Sequence, residues 1–158
     1  MKVQEVMTED VKACFPDTNL ATAAALMWEN DCGILPVIVD GKNPVGVITD
    51  RDIAIAVGTK GRSPKDVRVD EVIHGPVVAC TPDDDIHTAL KTMRKEKLRR
   101  LPVVTDDGVL TGILSLNDVV LHAQKGNKEL DYDDVLSTFK AICEHPHAKV
   151  ATVAKTSV

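Results

Sequence analysis

Two loops carry the residues best suited to chemistry. Gly46-Val47-Ile48-Thr49-Asp50-Arg51-Asp52 and Gly112-Ile113-Leu114-Ser115-Leu116-Asn117-Asp118 share one pattern: Gly, two apolar residues, a hydroxyl, two variable residues, Asp. A small hydroxyl where a helix begins leaves backbone N–H groups and the positive end of the helix dipole open to an anion. An Asp three residues on can accept two hydrogen bonds from adjacent hydroxyls, so a phosphate with a ribose diol would satisfy both features. The same spacing also describes a capping box, with Thr49 or Ser115 as N-cap and Asp52 or Asp118 reaching back to the backbone. Catalytic constellations are missing: His74, His87 and His122 are scattered, there is no Gly-x-Ser-x-Gly elbow or Walker loop, and no Cys–His pair has nucleophile spacing. The chain is not expected to be an enzyme. Cys143-Glu144-His145-Pro146-His147 holds zinc-compatible donors, but donors crowded into five residues around a proline fit a frayed helix end better, and no metal site is expected.

The elements that position these loops occur twice. A shift of 66 positions superimposes residues 3–57 on 69–123 without a gap, giving seventeen identities in 55 positions, against about one in fifteen by chance. Each copy reads as a short helical turn (Val3 to Met7, Val69 to Ile73), then a strand around Val11–Cys14 or Val77–Cys80. An amphipathic helix opened by Pro16-Asp17 or Pro82-Asp83 follows. Its buried face is Leu20, Ala23, Ala24 and Met27 in one copy and Ile86, Ala89, Leu90 and Met93 in the other. Two strands then turn at Asp40-Gly41 or Asp106-Asp107-Gly108, and a helix closes the unit at Asp50–Val57 or Leu116–Ala123. A unit of about 55 residues buries too little surface to stand alone. The expected fold is therefore α+β, with two βαββα units packed sheet to sheet about a pseudo-twofold axis: residues 1–60, a linker 61–68, residues 69–123, and a tail 124–158 with one helix near Val135–Cys143.

Composition narrows the partners. The 158 residues hold 19 Lys plus Arg against 24 Asp plus Glu, a formal net charge of −5, and only four aromatics: Phe15, Trp28, Tyr132 and Phe139. A nucleic-acid partner is disfavoured by that balance and by the lack of stacking platforms. No apolar run approaches the ~20 residues that span a bilayer, and Glu5, Glu9 and Asp10 interrupt the N-terminus, so a cytoplasmic protein with no membrane partner is expected. Cys14, Cys32, Cys80 and Cys143 form no Cys-x-x-Cys pair. They read mainly as small buried apolar residues, with a Cys14–Cys32 or Cys14–Cys80 disulfide as the lesser alternative.

With the repeat in place, residues 3–123 resemble the paired cystathionine beta-synthase (CBS) domains, or Bateman modules. The resemblance rests on Val6-Met7-Thr8, Leu35-Pro36-Val37, Arg99-Arg100-Leu101-Pro102-Val103-Val104 and the two Gly-x-x-Thr/Ser-x-x-Asp loops. The chain looks especially like small stand-alone members, including the hypoxic response protein type, in which the Thr-Asp-Arg-Asp-Ile run also appears. The resemblance implies a regulatory module whose inter-repeat clefts bind adenosine-containing ligands: AMP, ADP or ATP first, NAD or S-adenosylmethionine next. It needs no cofactor beyond the regulatory nucleotide, and it signals to an unknown regulated protein. It implies that Asp52 with Thr49 serve one site and Asp118 with Ser115 the other. Val11, Ala13 and Pro36, or Val77, Ala79 and Pro102, would line the base slots. The alternative is a ligand-free dimer acting by protein contact.

The copies differ in charge. Arg51 is replaced by Asn117, and Gly33-Ile34 corresponds to Arg99-Arg100. Guanidinium forks suit phosphate, so Arg51, Arg99 and Arg100 are the phosphate candidates; Arg99 and Arg100 fit a solvated helix end equally well. Trp28 aligns with Arg94, a solvent-facing position, which places it at a homodimer interface.

Overall fold

The computed structural model describes residues 1–144. The elements run α1 (Leu20–Glu29), β1 (Ile34–Val39), β2 (Asn43–Thr49) and α2 (Asp50–Lys60), then α3 (Ile86–Glu96), β3 (Arg100–Val104), β4 (Leu110–Ser115), α4 (Leu116–His122) and α5 (Tyr132–Cys143). Short 3-10 turns at Val3–Glu5 and Val69–Glu71 precede the two halves. The fold class is the α+β expected, with two small antiparallel sheets, β1–β2 and β3–β4. Both hairpins shift register at the same repeat position, after Val37 and after Val103.

The strands expected at Val11–Cys14 and Val77–Cys80 shrink to single parallel bridges, Cys14 with Val37 and Cys80 with Val103. Cys14 N donates to Pro36 O (3.0 Å) and its carbonyl accepts from Ile38 N (2.9 Å); Cys80 does the same with Pro102 and Val104. In a parallel ladder the next donor lies two residues on, and those residues are Pro16 and Pro82, which have no N–H. The prolines also do not open the helices. α1 starts after Asn19, whose side chain accepts from Thr22 N at 2.9 Å, and α3 after Asp85, which accepts from His87 N at 2.9 Å. Side-chain caps satisfy the orphan amides there and set both starts. The closing helices end at Lys60 and His122 rather than Val57 and Ala123, and the tail helix begins at Tyr132 rather than Val135.

The leading turns pack crosswise. Val3 and Val6 lie in a core with Ile86, Leu90, Leu101 and Leu114, whereas Val67, Val69 and Val72 lie in a core with Leu20, Met27, Leu35 and Ile48. The backbone contacts repeat at the 66-residue offset. Val3 N donates to Asp84 O (2.9 Å) as Val69 N does to Thr18 O (2.8 Å). Gln4 N donates to Pro82 O (3.0 Å) as Asp70 N does to Pro16 O (2.9 Å), and Ile86 N to Met1 O (3.1 Å) as Leu20 N does to Val67 O (2.9 Å). Each sequence copy thus completes the core of the other, and the repeated contacts give the pseudo-twofold symmetry. Cys14 and Cys80 sit in separate cores, and all four cysteines are free, which removes both proposed disulfides.

The motif glycines mark where the crossing chains touch. A Cβ on Gly112 would lie 2.7 Å from Met7 Sδ and 3.0 Å from the Thr8 carbonyl oxygen; a Cβ on Gly46 would lie 2.6 Å from Ile73 Cδ1, the far end of a flexible side chain. Gly112→Ala should therefore cost about 1–3 kcal/mol, because backbone must move, and Gly46→Ala less. Urea denaturation of the two variants checks the order, and an equal or larger loss in Gly46→Ala would contradict it.

Candidate ligand clefts

Both loops fold as capping boxes. Thr49 is the N-cap of α2: its Oγ1 accepts from Asp52 N (3.2 Å), while Asp52 Oδ2 accepts from Thr49 N (2.9 Å) and Thr49 Oγ1 (2.7 Å). Ser115 caps α4 likewise, with Asp118 Oδ2 accepting from Ser115 N (2.8 Å) and Oγ (2.6 Å). The helix start uses one oxygen of each carboxylate. Asp118 Oδ1 accepts instead from Thr8 Oγ1 at 3.2 Å, and Asp52 Oδ1 has no protein partner among the described residues. Capping therefore leaves one oxygen of each carboxylate outside the loop's own bonds.

The crosswise packing decides which residues share a cleft. A first cleft of about 340 Å³ joins Ser115 and Asp118 of the second copy to Thr8, Val11 and Lys12 of the first, with Ile34 and Arg100 between. A second cleft of about 670 Å³ joins Thr49 and Arg51 of the first copy to His74, Val77, Arg99, Arg100 and Pro102 of the second. Arg100, half-buried at the start of β3, lines both. Three of the apolar residues expected in base slots are elsewhere. Ala13, Pro36 and Ala79 line neither cleft; Pro36 is buried in β1, where its carbonyl receives Cys14 N. Asp52 sits behind Thr49 rather than in the wall of the second cleft.

The difference in size has a backbone cause. Thr8 and Ile113 exchange two hydrogen bonds, Thr8 N to Ile113 O (3.0 Å) and Ile113 N to Thr8 O (2.9 Å), which close the first cleft. The equivalent pair, His74 and Val47, lines the second cleft but makes no backbone bond. There the chain turns away at Gly75, whose φ of 78° an ordinary side chain rarely adopts, and at Pro76.

Charge separates the clefts further. Arg51, Lys97, Arg99 and Arg100 in the second face only Asp50 and Glu144, and among the described residues none of the four has an ion-pair partner. In the first, Asp10, Asp31 and Asp118 offset Lys12 and Arg100, and Lys12 is held by Asp10 at 2.8 Å. Thr8, Lys12, His74, Ile142 and Glu144 are wall residues that the sequence motifs do not mark as such. Thr8 and His74 share a repeat position, a signal that becomes readable only once the leading turns are known to cross. Ile142 and Glu144 lie outside the repeat and carry no such signal.

The CBS domain family model matches residues 3–58 and again 69–125. The chain belongs to the CBS domain family. Protein MK0525 of Methanopyrus kandleri is 32% identical over 120 residues, spanning 76% of this chain and 61% of that one. Among solved structures, Hypoxic Response Protein I with two coordinated zinc ions superimposes with a TM-score of 0.71 at 27% identity, covering 78% of this chain and all of that one. CBSX2 in complex with AMP superimposes with a TM-score of 0.67 at 28% identity, covering 76% and 93%.

Among the described residues no group of three or more His, Cys, Asp or Glu could hold a metal; Cys143 and Glu144 are described, but His145 and His147 lie outside. Among the same residues no helix is long and apolar enough to cross a membrane. Burial pushes the Cys14 thiol up to about 11 and, with a smaller contribution from Asp84, the Cys80 thiol up to about 12. Both thiols stay protonated in the folded protein at pH 8, whereas Cys143 is exposed. A chromogenic disulfide reagent should label Cys143 rapidly and spare Cys14 and Cys80 until unfolding. Because the folded values lie above the ordinary thiol value of 9.0, the unfolded chain ionises first. The thiols' stabilisation is intact below pH 9 and is lost as the pH climbs toward 11–12, and the double variant Cys14→Ala/Cys80→Ala should show a flatter alkaline decline in Tm.

Proposed function

We propose that the chain is a regulatory module that binds adenosine-containing ligands in its two inter-repeat clefts and passes their occupancy to a partner protein. One observation carries the reading: four cations without ion-pair partners among the described residues surround a cleft of about 670 Å³ whose floor is a helix start capped by Thr49. Arg51, Arg99 and Arg100 offer planar forks to phosphate, and Val77 with Pro102 offers apolar walls to a base. Asp52 Oδ1 can reach a ribose hydroxyl once the ligand draws the carboxylate forward. The second cleft thus suits AMP, ADP or ATP. The first, smaller and without excess positive charge, suits a ligand with fewer phosphates, with Asp118 and Ser115 at the sugar and Val11 at the base. The CBSX2–AMP complex, on the same fold, supports the ligand class.

A second reading, a dimer acting by protein contact, draws on Trp28, which is 88% exposed on α1, and on Ile55, half-exposed on α2. An indole left in water, with further apolar surface exposed on α2, fits an interface with a second copy. The two readings are compatible, with the clefts sensing and the helix face pairing the protomers.

Thermal-shift titration with AMP, ADP, ATP, NAD and S-adenosylmethionine tests the ligand reading. At one hundred times its dissociation constant a ligand adds about 2.7 kcal/mol, a rise of roughly 5–10 °C in Tm for this size. Asp52→Ala and Asp118→Ala each lose the carboxylate half of a capping box and should lower the baseline by about 0.5–2 kcal/mol, so each shift is judged against the variant's own baseline. The adenine nucleotide shift should shrink in Asp52→Ala and in Arg99→Ala/Arg100→Ala. No shift with any of the five ligands leaves only the contact reading. For that reading, Trp28→Arg should convert a dimer to a monomer by sedimentation, and a wild-type chain already monomeric, with Trp28 emission like that of free indole in water, removes it.

A further inference from the structure

The tail helix α5 stands outside the repeat, yet it is built into one half. Its Thr138 and Ile142 are buried, Arg94 Nη1 donates to Thr138 Oγ1 at 2.9 Å, and Asp134 lies 3.7 Å from His87 Nδ1 on α3. Its C-terminal turn reaches the second cleft, where Ile142 and Glu144 form part of the wall. At that point Lys97 Nζ donates to the Glu144 carbonyl oxygen. A cation on the last carbonyls of a helix opposes the negative end of its dipole, so Lys97 pins the end of α5.

Lys97 also lines the second cleft beside Arg99 and Arg100. It follows α3 in the left-handed conformation, φ 55°, which fixes the origin of its side chain. The same ammonium therefore serves two acceptors: a neutral backbone carbonyl now, and any anion that enters the cleft. A phosphate oxygen is the stronger partner, because its full negative charge adds an ion-pair attraction that the neutral carbonyl lacks. Repeat symmetry places Asp31 at the matching position of the first copy, also left-handed with φ 47°. Asp31 lines the first cleft and carries the opposite charge, so the arrangement is one-sided.

Resting on the reading of the second cleft as a phosphate-bearing ligand site, we infer that Lys97 couples that cleft to the tail: a phosphorylated ligand takes Lys97 from the Glu144 carbonyl and loosens the C-terminal turn of α5. Because coupling free energy is reciprocal, a firmly docked α5 weakens such a ligand to the same degree. The device gives the module an output, since loosening the C-terminal turn of α5 uncovers apolar surface around Ile142 that now packs in the core of the second half.

Hydrogen exchange read by mass spectrometry on the full chain, with ATP binding measured by calorimetry under the same conditions, tests the coupling. Saturating ATP should speed exchange across residues 138–144 by roughly two- to tenfold, the range that loss of one hydrogen bond gives, and leave residues 86–93 of α3 unchanged. Lys97→Met should show fast exchange in the tail without ligand and no further change with ATP. Bound ATP with tail exchange unchanged or slowed overturns the coupling while leaving the cleft reading intact. Absence of ATP binding overturns the coupling to ATP, and absence of AMP and ADP binding as well overturns the cleft reading with it.

Discussion

The crossing of the two leading turns is the constraint on which the molecule depends. Val3 and Val6 fill the core of the second half, and Val69 and Val72 fill that of the first. Each half would otherwise expose an apolar hollow beside its first helix, and a half of this size has little stability in reserve. Backbone pairing makes the exchange specific, because Val3 with Asp84 and Val69 with Thr18 recur at the same offset. The clefts follow from the exchange: residues just after each turn, Thr8 and His74, are carried onto the opposite half and become walls facing its capped helix. Neither cleft belongs to one repeat.

From that symmetric frame the chain builds two unlike sites with few changes. A paired backbone at Thr8 and Ile113 narrows the first, and a turn at Gly75 and Pro76 leaves the second open. Arg51 in place of Asn117, and Arg99 in place of Gly33, concentrate positive charge in the larger space. Asp118 divides its oxygens between holding the start of α4 and meeting Thr8 in the first cleft, so a cleft group is oriented by the bond that stabilises the fold. Such dual use lets a loop seven residues long be both stiff and receptive.

Much of this was legible in the residues themselves. The 66-residue period, the buried faces of α1 and α3, both hairpins and both capping loops could be read from spacing alone, because local periodicity and cap chemistry act over a few residues. The extent of the strands near Cys14 and Cys80 was misread because apolar pattern outweighed the prolines that follow. The exchange of leading turns was not legible, since Val3 and Val69 are equally apolar whichever core receives them. The placement of Ala13, Pro36 and Ala79 away from the clefts follows from this, as does the role of Thr8. Ile142 and Glu144 could not be foreseen, because only tertiary packing of α5 brings them to the second cleft.

The reciprocal completion of the cores bears on how such a chain can arise. A single copy with this architecture has a hollow and a spare apolar turn, and it becomes whole only by lending that turn to a twin. Two separate copies would meet at a rate set by their concentration; joined through the linker 61–68 they meet at an effective concentration in the millimolar range. Gene duplication in tandem here amounts to sealing an obligate pair into one polypeptide, after which the halves are free to diverge in what they hold while neither can be discarded.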